Sequence, residues 1–363
     1  MTAIKIGITM GDPSGVGPEI IAKALTRPQI HKLGKIVVVG DKWVFDKVKG
    51  ERLKVKGERL KVKGERLKVK GERLKVKGER LKVKGERLKV KGYQFIDLNN
   101  VPRKNFRFGR VRKEFGRAAI DYLKKAVELI KNREIDCLVT APISKQAINL
   151  AGYRYSGHTE FLARALGKKS QDLVMMLLNK YIRATLVTRH LALKEISPAL
   201  SRQTIYKTIV ITYLALKGYF GIARPKICVA ALNPHAGEGG LLGREEMERI
   251  RPAITKARII VKDVFGPLPA DSAYLKAKQG AFDAVVAMYH DQVLIPLKLL
   301  DPESGVNLTL GLDFVRTSPL HGTGFDIAGK NIASDASFVS ALRTAVECTN
   351  NLRKSSLFAK STK

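Results

Sequence analysis

The sequence predicts an α/β fold built on a mostly parallel sheet. Short apolar runs recur along the chain, as expected of strands buried on both faces. Between them lie segments whose apolar residues recur at helical spacing. Four of the runs end directly in polar, chemically able residues. In parallel α/β sheets, ligands bind beyond the carboxyl ends of the strands.

In chain order, KIGITM over 5–10 reads as the first strand. The loop GDPSGVGPE follows, and then a helix over 19–25. This loop is not GxGxxG and lacks the GK[ST] ending of a phosphate-binding P-loop. It reads either as backbone N–H groups offered to an anion at a helix N-terminus or as a tight turn with Pro18 opening the helix. KIVVV over 35–39 is a second strand. From Lys47 the heptad KVKGERL then runs six times without an error, and 89–92 begin a seventh copy. Its apolar residues, Val48, Leu53, Val55 and Leu60, do not form a helical stripe, and one glycine per copy costs a helix ~1 kcal/mol each time. LKV is at most a three-residue strand fragment with both apolar side chains on one face. The segment is expected to be a solvated basic loop. The alternatives are a meander of tiny hairpins or a nucleic-acid arm, and for the arm it offers no aromatic residue to stack on bases. Beyond it, Leu123, Val127 and Ile130 share one face of a helix over 122–130. Strands follow over 135–139, 173–178, 184–187, 227–232 and 282–288, with helices over 201–219, 245–258 and 338–351.

The 363 residues suffice for two domains or one large α/β unit, and 45% hydrophobic content supports a true core. Net charge is +34. Each heptad carries +2, so the repeat segment over 47–92 holds +14 and the remainder a diffuse +20. Diffuse basicity suits anionic small molecules as well as it suits DNA. Cys137, Cys228 and Cys348 are odd in number and without CxxC spacing, which favours buried reduced thiols. No signal-peptide core opens the sequence and no apolar run reaches the ~18 residues of a membrane span. A reducing, cytoplasmic compartment and no membrane partner are expected.

The strand ends carry the chemistry. The 135–139 run leads into TAPISK, which holds Lys145. The others lead to His190 in TRH, His235 in NPHAGEGG and His290 in YHD. Alone, each reads as a hydrogen-bonded structural histidine. Three at equivalent ends of one sheet could also converge on one divalent ion with an open coordination position. In SGHTEF, His158, Thr159 and Glu160 suit phosphate or substrate contact; the segment equally suits the start of a helix over 160–166. In HGTGFDIAGK, Gly322 and Gly324 allow close backbone approach, and Asp326 could accept from a ribose hydroxyl. Lys298, Asn307 and Arg316 precede it on a strand-and-loop region, where two cations and an amide could hold a phosphate.

GDPSGVGPE, TAPISK, SGHTEF, NPHAGEGG, GPLPAD, MYHDQ and GVNLTLG occur here in one order. With them the chain closely resembles the 4-hydroxythreonine-4-phosphate dehydrogenase family of pyridoxal phosphate biosynthesis, over nearly everything except 47–92. The resemblance implies a two-domain α/β/α fold of the isocitrate and isopropylmalate dehydrogenase type. One domain would span 1–135 with 270–363 on the NAD side, and the other 136–269 on the metal and dimer side. It implies a homodimer with the active site at the subunit interface. Metal ligands would be His190, His235 and His290, holding Zn, Mg or Co. Substrate contacts would be His158, Thr159, Lys298, Asn307 and Arg316. His321, Gly322 and Asp326 become NAD candidates, although Phe325 and Ser334 depart from the usual dehydrogenase loop. The implied reaction oxidises 4-phosphooxy-L-threonine with NAD and releases CO2, giving 3-amino-2-oxopropyl phosphate. Asp271 and Asp291 would then serve the substrate amino group or the metal histidines, and Lys145 would carry a proton. Two alternatives are a dehydrogenase for a four-carbon sugar-acid phosphate and a nucleic-acid binder using the repeats. No specific nucleic-acid partner is expected.

Overall fold

A computed structural model describes residues 2–48, 86–90 and 92–355. It places twelve strands in one sheet. β1 (Lys5–Thr9) pairs in parallel with β2 (Lys35–Gly40) and with β5 (Cys137–Thr140). β2 continues to β4 (Tyr93–Asp97), and β5 to β12 (Val315–Pro319), both in parallel. β3 (Glu86–Val90), which spans the end of the sixth heptad and the start of the seventh, closes this edge antiparallel to β4. The loop expectation is thus corrected at 86–90, while 49–85 and 91 lie outside the described residues. A second parallel set holds β7 (Arg183–Leu186), β10 (Ala284–Ala287), β8 (Ile227–Ala230) and β9 (Val264–Leu268). Joining the two sets are β6 (Val174–Leu178) and β11 (Val306–Leu310), antiparallel to each other and to β7 and β12 respectively. The two parallel sets therefore run in opposite directions. The strand-and-loop region carrying Asn307 and Arg316 is an antiparallel pair, β11 and β12, in the middle of the sheet.

The helices are α1 (Gly17–Ala24), α2 (Pro28–His31), α3 (Lys113–Lys131), α4 (Lys145–Leu150), α5 (His158–Ala165), α6 (Leu193–Ala199), α7 (Arg202–Gly218), α8 (Arg251–Ala257), α9 (Ala270–Lys278), α10 (His290–Leu300) and α11 (Ala336–Lys354). α3 packs on β1, β2 and α4, and α11 packs on β5, β11 and β12. Ile6, Ile8, Val38, Leu138 and Val139 are buried in the main core. α9 and α10 cover a second cluster containing Ala184, Leu186, Val285, Val293 and Leu297. Full burial of each large aliphatic side chain stabilises by about 1.5–3 kcal/mol, which is why these runs become inner strands. The three cysteines are buried and unpaired. No helix among the described residues is long and apolar enough to cross a membrane.

Of the two readings of GDPSGVGPE, the structure shows the tight turn. Its amides bond within the protein: Val16 N–H donates to Thr323 O (2.8 Å), Gly15 N–H to Asp12 O (3.1 Å) and Ser14 N–H to Asp12 Oδ1 (2.9 Å). A Cβ at Gly17 would lie 2.2 Å from Met10 O, so only glycine permits this approach. Glu19, 1% exposed, accepts the N–H groups of Asn331 (3.2 Å) and Ala333 (2.8 Å). Lys23 Nζ donates to the carbonyls of the same two residues. The motif therefore anchors the HGTGFDIAGK loop to α1.

The helix expected over 245–258 begins with a π turn, Glu246–Ile250, before α8. Buried Glu246 explains it. Its carboxylate accepts the N–H groups of Leu232 and Asn233 at 2.8 Å each and the Asn233 side-chain amide at 3.0 Å. This pins the loop that carries His235.

Candidate active site

One face of the β12–β11–β6 strip forms the floor of a cavity of about 410 Å³. Residues two apart on a strand share a face. Arg316 and Ser318 on β12 therefore point the same way, opposite Thr309 and Asn307 on β11, which in turn stand opposite Met175 and Leu177 on β6. The walls come from the segment after β5, the N-terminus of α5, the residue His190 beyond β7, the first turns of α10 and the segment after β12.

Arg316 dominates the floor electrostatically. It is 1% exposed and donates to Thr309 Oγ1 (3.0 Å) and to Thr140 Oγ1, while its Nε has no hydrogen-bond partner. Among the described residues no carboxylate lies within ion-pair distance of it. Burial pulls its pKa down to about 9, which leaves it charged at neutral pH. A buried guanidinium without an anion costs several kcal/mol, so this cavity is built for an anionic guest. Two further buried atoms lack partners, His158 Nε2 and Asn307 Oδ1. Burial holds His158 well below its ordinary pKa, with Arg316 adding to the effect, so the ring is neutral. α5 begins at His158 itself, two residues before the expected start, with Gly157 as N-cap and no capping side chain. Its positive helix end faces the cavity through Gly157, His158, Thr159 and Glu160. Lys298, in the last turn of α10, and Lys145 complete the cationic lining.

The imidazoles come from neighbouring strands. β7 and β10 are adjacent and parallel, and their continuations bring His190 and His290 to a ring-centroid separation of 5.3 Å. Burial, then the charges of Lys145 and His290, lowers the His190 pKa and keeps that ring neutral. The His290 Nδ1 lies 2.7 Å from Asp291 Oδ1, which orients its Nε2. His235 follows β8, on the other side of β10. It is exposed and does not line the cavity. Its loop runs through left-handed φ at His235, Ala236 and Glu238, a conformation costing roughly 1–2 kcal/mol per non-glycine residue, and Glu246 holds it there. Among the described residues no three His, Cys, Asp or Glu lie close enough together to hold a metal ion. Of the three histidines, the chain brings two, His190 and His290, side by side. Those two fit a divalent ion chemically, as imidazole nitrogen donors side by side at the cavity wall.

His321 and Gly322 line the cavity, whereas Asp326 is exposed outside it. Asp271 sits in the first turn of α9, also exposed and outside, and Asp291 reaches the site only through His290. Ser318 was missed from sequence, though its place two residues from Arg316 on one strand signals it.

A profile of the family described as "Pyridoxal phosphate biosynthetic protein PdxA" matches residues 32–345. The chain belongs to this family. A PdxA relative from Geobacter metallireducens, named 4-hydroxythreonine-4-phosphate dehydrogenase, is 41% identical over 95% of this chain and 96% of its own. Another from Cupriavidus necator, named D-threonate 4-phosphate dehydrogenase, is 40% identical over 94% of this chain and 96% of its own. The crystal structure of a 4-hydroxythreonine-4-phosphate dehydrogenase from Burkholderia phymatum is similar at a TM-score of 0.73 and 38% identity, covering 96% of this chain and 99% of that one. Members of the PdxA family thus carry two substrate names at nearly equal distance from this chain.

Proposed function

We propose that the protein is an NAD-dependent, divalent-metal-dependent dehydrogenase of pyridoxine 5'-phosphate biosynthesis. It oxidises and decarboxylates 4-phosphooxy-L-threonine to 3-amino-2-oxopropyl phosphate. The observation that carries this reading is the buried Arg316, without a carboxylate partner, at the floor of a cavity whose wall holds two adjacent imidazoles.

The phosphate goes to the floor. Arg316 Nε and Asn307 Nδ2 donate to its oxygens, His158 Nε2 shares a proton with it, and Thr159 and the α5 N-terminus add donors. Lys298 supplies a second charge from α10. With the phosphate fixed there, the rest of the substrate lies toward His190 and His290, which hold the ion. The cofactor and the ion supply what no side chain here can: a hydride acceptor, and Lewis acidity that lowers the hydroxyl pKa and stabilises the charge left by CO2 loss. Lys145, on the cavity wall, is the proton carrier: its ammonium gives a proton to the carbanionic carbon after decarboxylation, and the amine that this leaves receives the hydroxyl proton of the next turnover. His321 and Gly322, on the loop fastened by Glu19 and Lys23, hold the cofactor at the rim.

The third imidazole, His235, comes from a second copy of the chain. Exposed apolar residues follow each of the three histidines: Leu193 at 76%, Leu241 at 84%, Ile295 at 59% and Leu299 at 81%. A homodimer covers them and brings the partner's histidine loop to the cavity.

NADH formation from 4-phosphooxy-L-threonine tests the proposal, using protein loaded with Zn, Mg or Co and protein stripped by chelator. Activity that vanishes on stripping and returns on reloading is expected. No turnover with any of the three ions contradicts it. A second reading, oxidation of a four-carbon sugar-acid phosphate such as threonate or erythronate 4-phosphate, is favoured by the Cupriavidus relative and uses the same phosphate and imidazole groups.

A further inference from the structure

We propose that Glu160 is the specificity residue of this cavity, pairing with a C2 ammonium and thereby selecting a 2-amino acid phosphate over its 2-hydroxy counterpart. This deepens the functional reading above and rests on it.

The cavity lining is otherwise cationic or neutral. Lys145, Lys298, Arg316 and the histidines face it, and Glu160 is the one carboxylate among the described lining residues. Asp271 and Asp291, the carboxylates expected from sequence to serve the amino group, lie outside it. Glu160 occupies the first turn of α5, two residues beyond His158. Its charge acts on both Arg316 on the floor and His190 on the wall. Glu160 is not consumed by a structural bond. Arg189 Nη1 stands 3.8 Å from Oε1, an ion pair without a hydrogen bond, and that guanidinium instead donates to Ser170 through Nη2.

In a four-carbon 4-phosphate whose C3 hydroxyl is oxidised at the imidazoles, C2 is the carbon next to the reacting centre. As the one carboxylate lining the cavity, Glu160 is the group there that can pair with an ammonium on that carbon. An ammonium satisfies it with charge and hydrogen bonds. A C2 hydroxyl gives one neutral hydrogen bond and leaves the carboxylate desolvated. The same carboxylate lowers the cost of holding an ammonium in a cavity otherwise lined by positive charge.

The test compares wild type and Glu160→Gln, each loaded with metal, on 4-phosphooxy-L-threonine and D-threonate 4-phosphate. Turnover is read as kcat/KM, and binding is read separately by calorimetry without NAD. Wild type is expected to prefer the amino substrate, and the ratio of the two kcat/KM values should fall about 10- to 100-fold in the variant, the worth of a charged hydrogen bond. The binding preference should fall with it. Glu160→Asp, retaining charge, should restore part of the ratio. Equal losses on both substrates would assign Glu160 to neutralising Arg189 and Arg316 and overturn the proposal, as would a wild-type preference for the hydroxy acid. If wild type binds the amino substrate preferentially through Glu160 yet oxidises neither, the functional reading fails while the Glu160 assignment stands. If neither substrate binds, both fall.

Discussion

Arg316 Nε and His158 Nε2 are buried without a hydrogen-bond partner in the folded chain. Buried polar atoms are nearly always paired, so these two mark where a ligand binds. The protonation state follows. Burial keeps His158 neutral, below its ordinary value of 6.5. A group whose folded pKa is depressed contributes stability above the unfolded value, and that contribution is lost as pH falls below 6.5. A phosphate dianion beside Nε2 reverses the balance, because it favours the imidazolium. Binding inorganic phosphate or substrate near neutral pH is therefore expected to take up a proton. Calorimetry in buffers of differing ionisation enthalpy measures this; His158→Asn should abolish the uptake, and equal uptake in both proteins, or none in wild type, would contradict it.

At the scale of elements, legibility followed burial pattern. Inner parallel strands such as Cys137–Thr140 and Ala284–Ala287 are unbroken apolar runs, and each was readable because both faces are covered. β11 (VNLTL) and β12 (VRTSP) were not, because one face of each is the polar cavity floor. Polar residues that would argue against an inner strand are there for the ligand. The π turn at Glu246–Ile250 was hidden because its cause is a distant carboxylate contact with 232–233. Close packing between elements gives a stability prediction. Gly116 in α3 faces α4, and a Cβ there would lie 2.0 Å from Ala147 O, a backbone atom that cannot rotate away. Gly→Ala in a helix gains ~1 kcal/mol of propensity, whereas forced overpacking costs about 1–3 kcal/mol. At so short a distance the cost should win. Gly116→Ala is expected to lower the urea midpoint; a raised midpoint would show that α3 and α4 separate freely.

Over the whole molecule, two parallel strand sets run in opposite directions about the β12–β11–β6–β7 centre, and the cavity lies over that centre. The sequence placed His190, His235 and His290 at strand ends, but strand ends alone do not determine whether loops turn inward. The 234–240 loop, held in left-handed conformation, leaves His235 outside its own chain's cavity. A site completed by a second copy reconciles the three histidines with this geometry, and it makes a demand that a self-sufficient chain does not. The decisive measurement is subunit complementation. His190→Ala and His235→Ala proteins, each inactive alone, are mixed under conditions that exchange subunits, and NADH formation from 4-phosphooxy-L-threonine is followed with metal present. In the mixed dimer one site joins an intact His190 to an intact partner His235, so activity is predicted to return. Mixed dimers that form yet stay inactive would contradict the shared site.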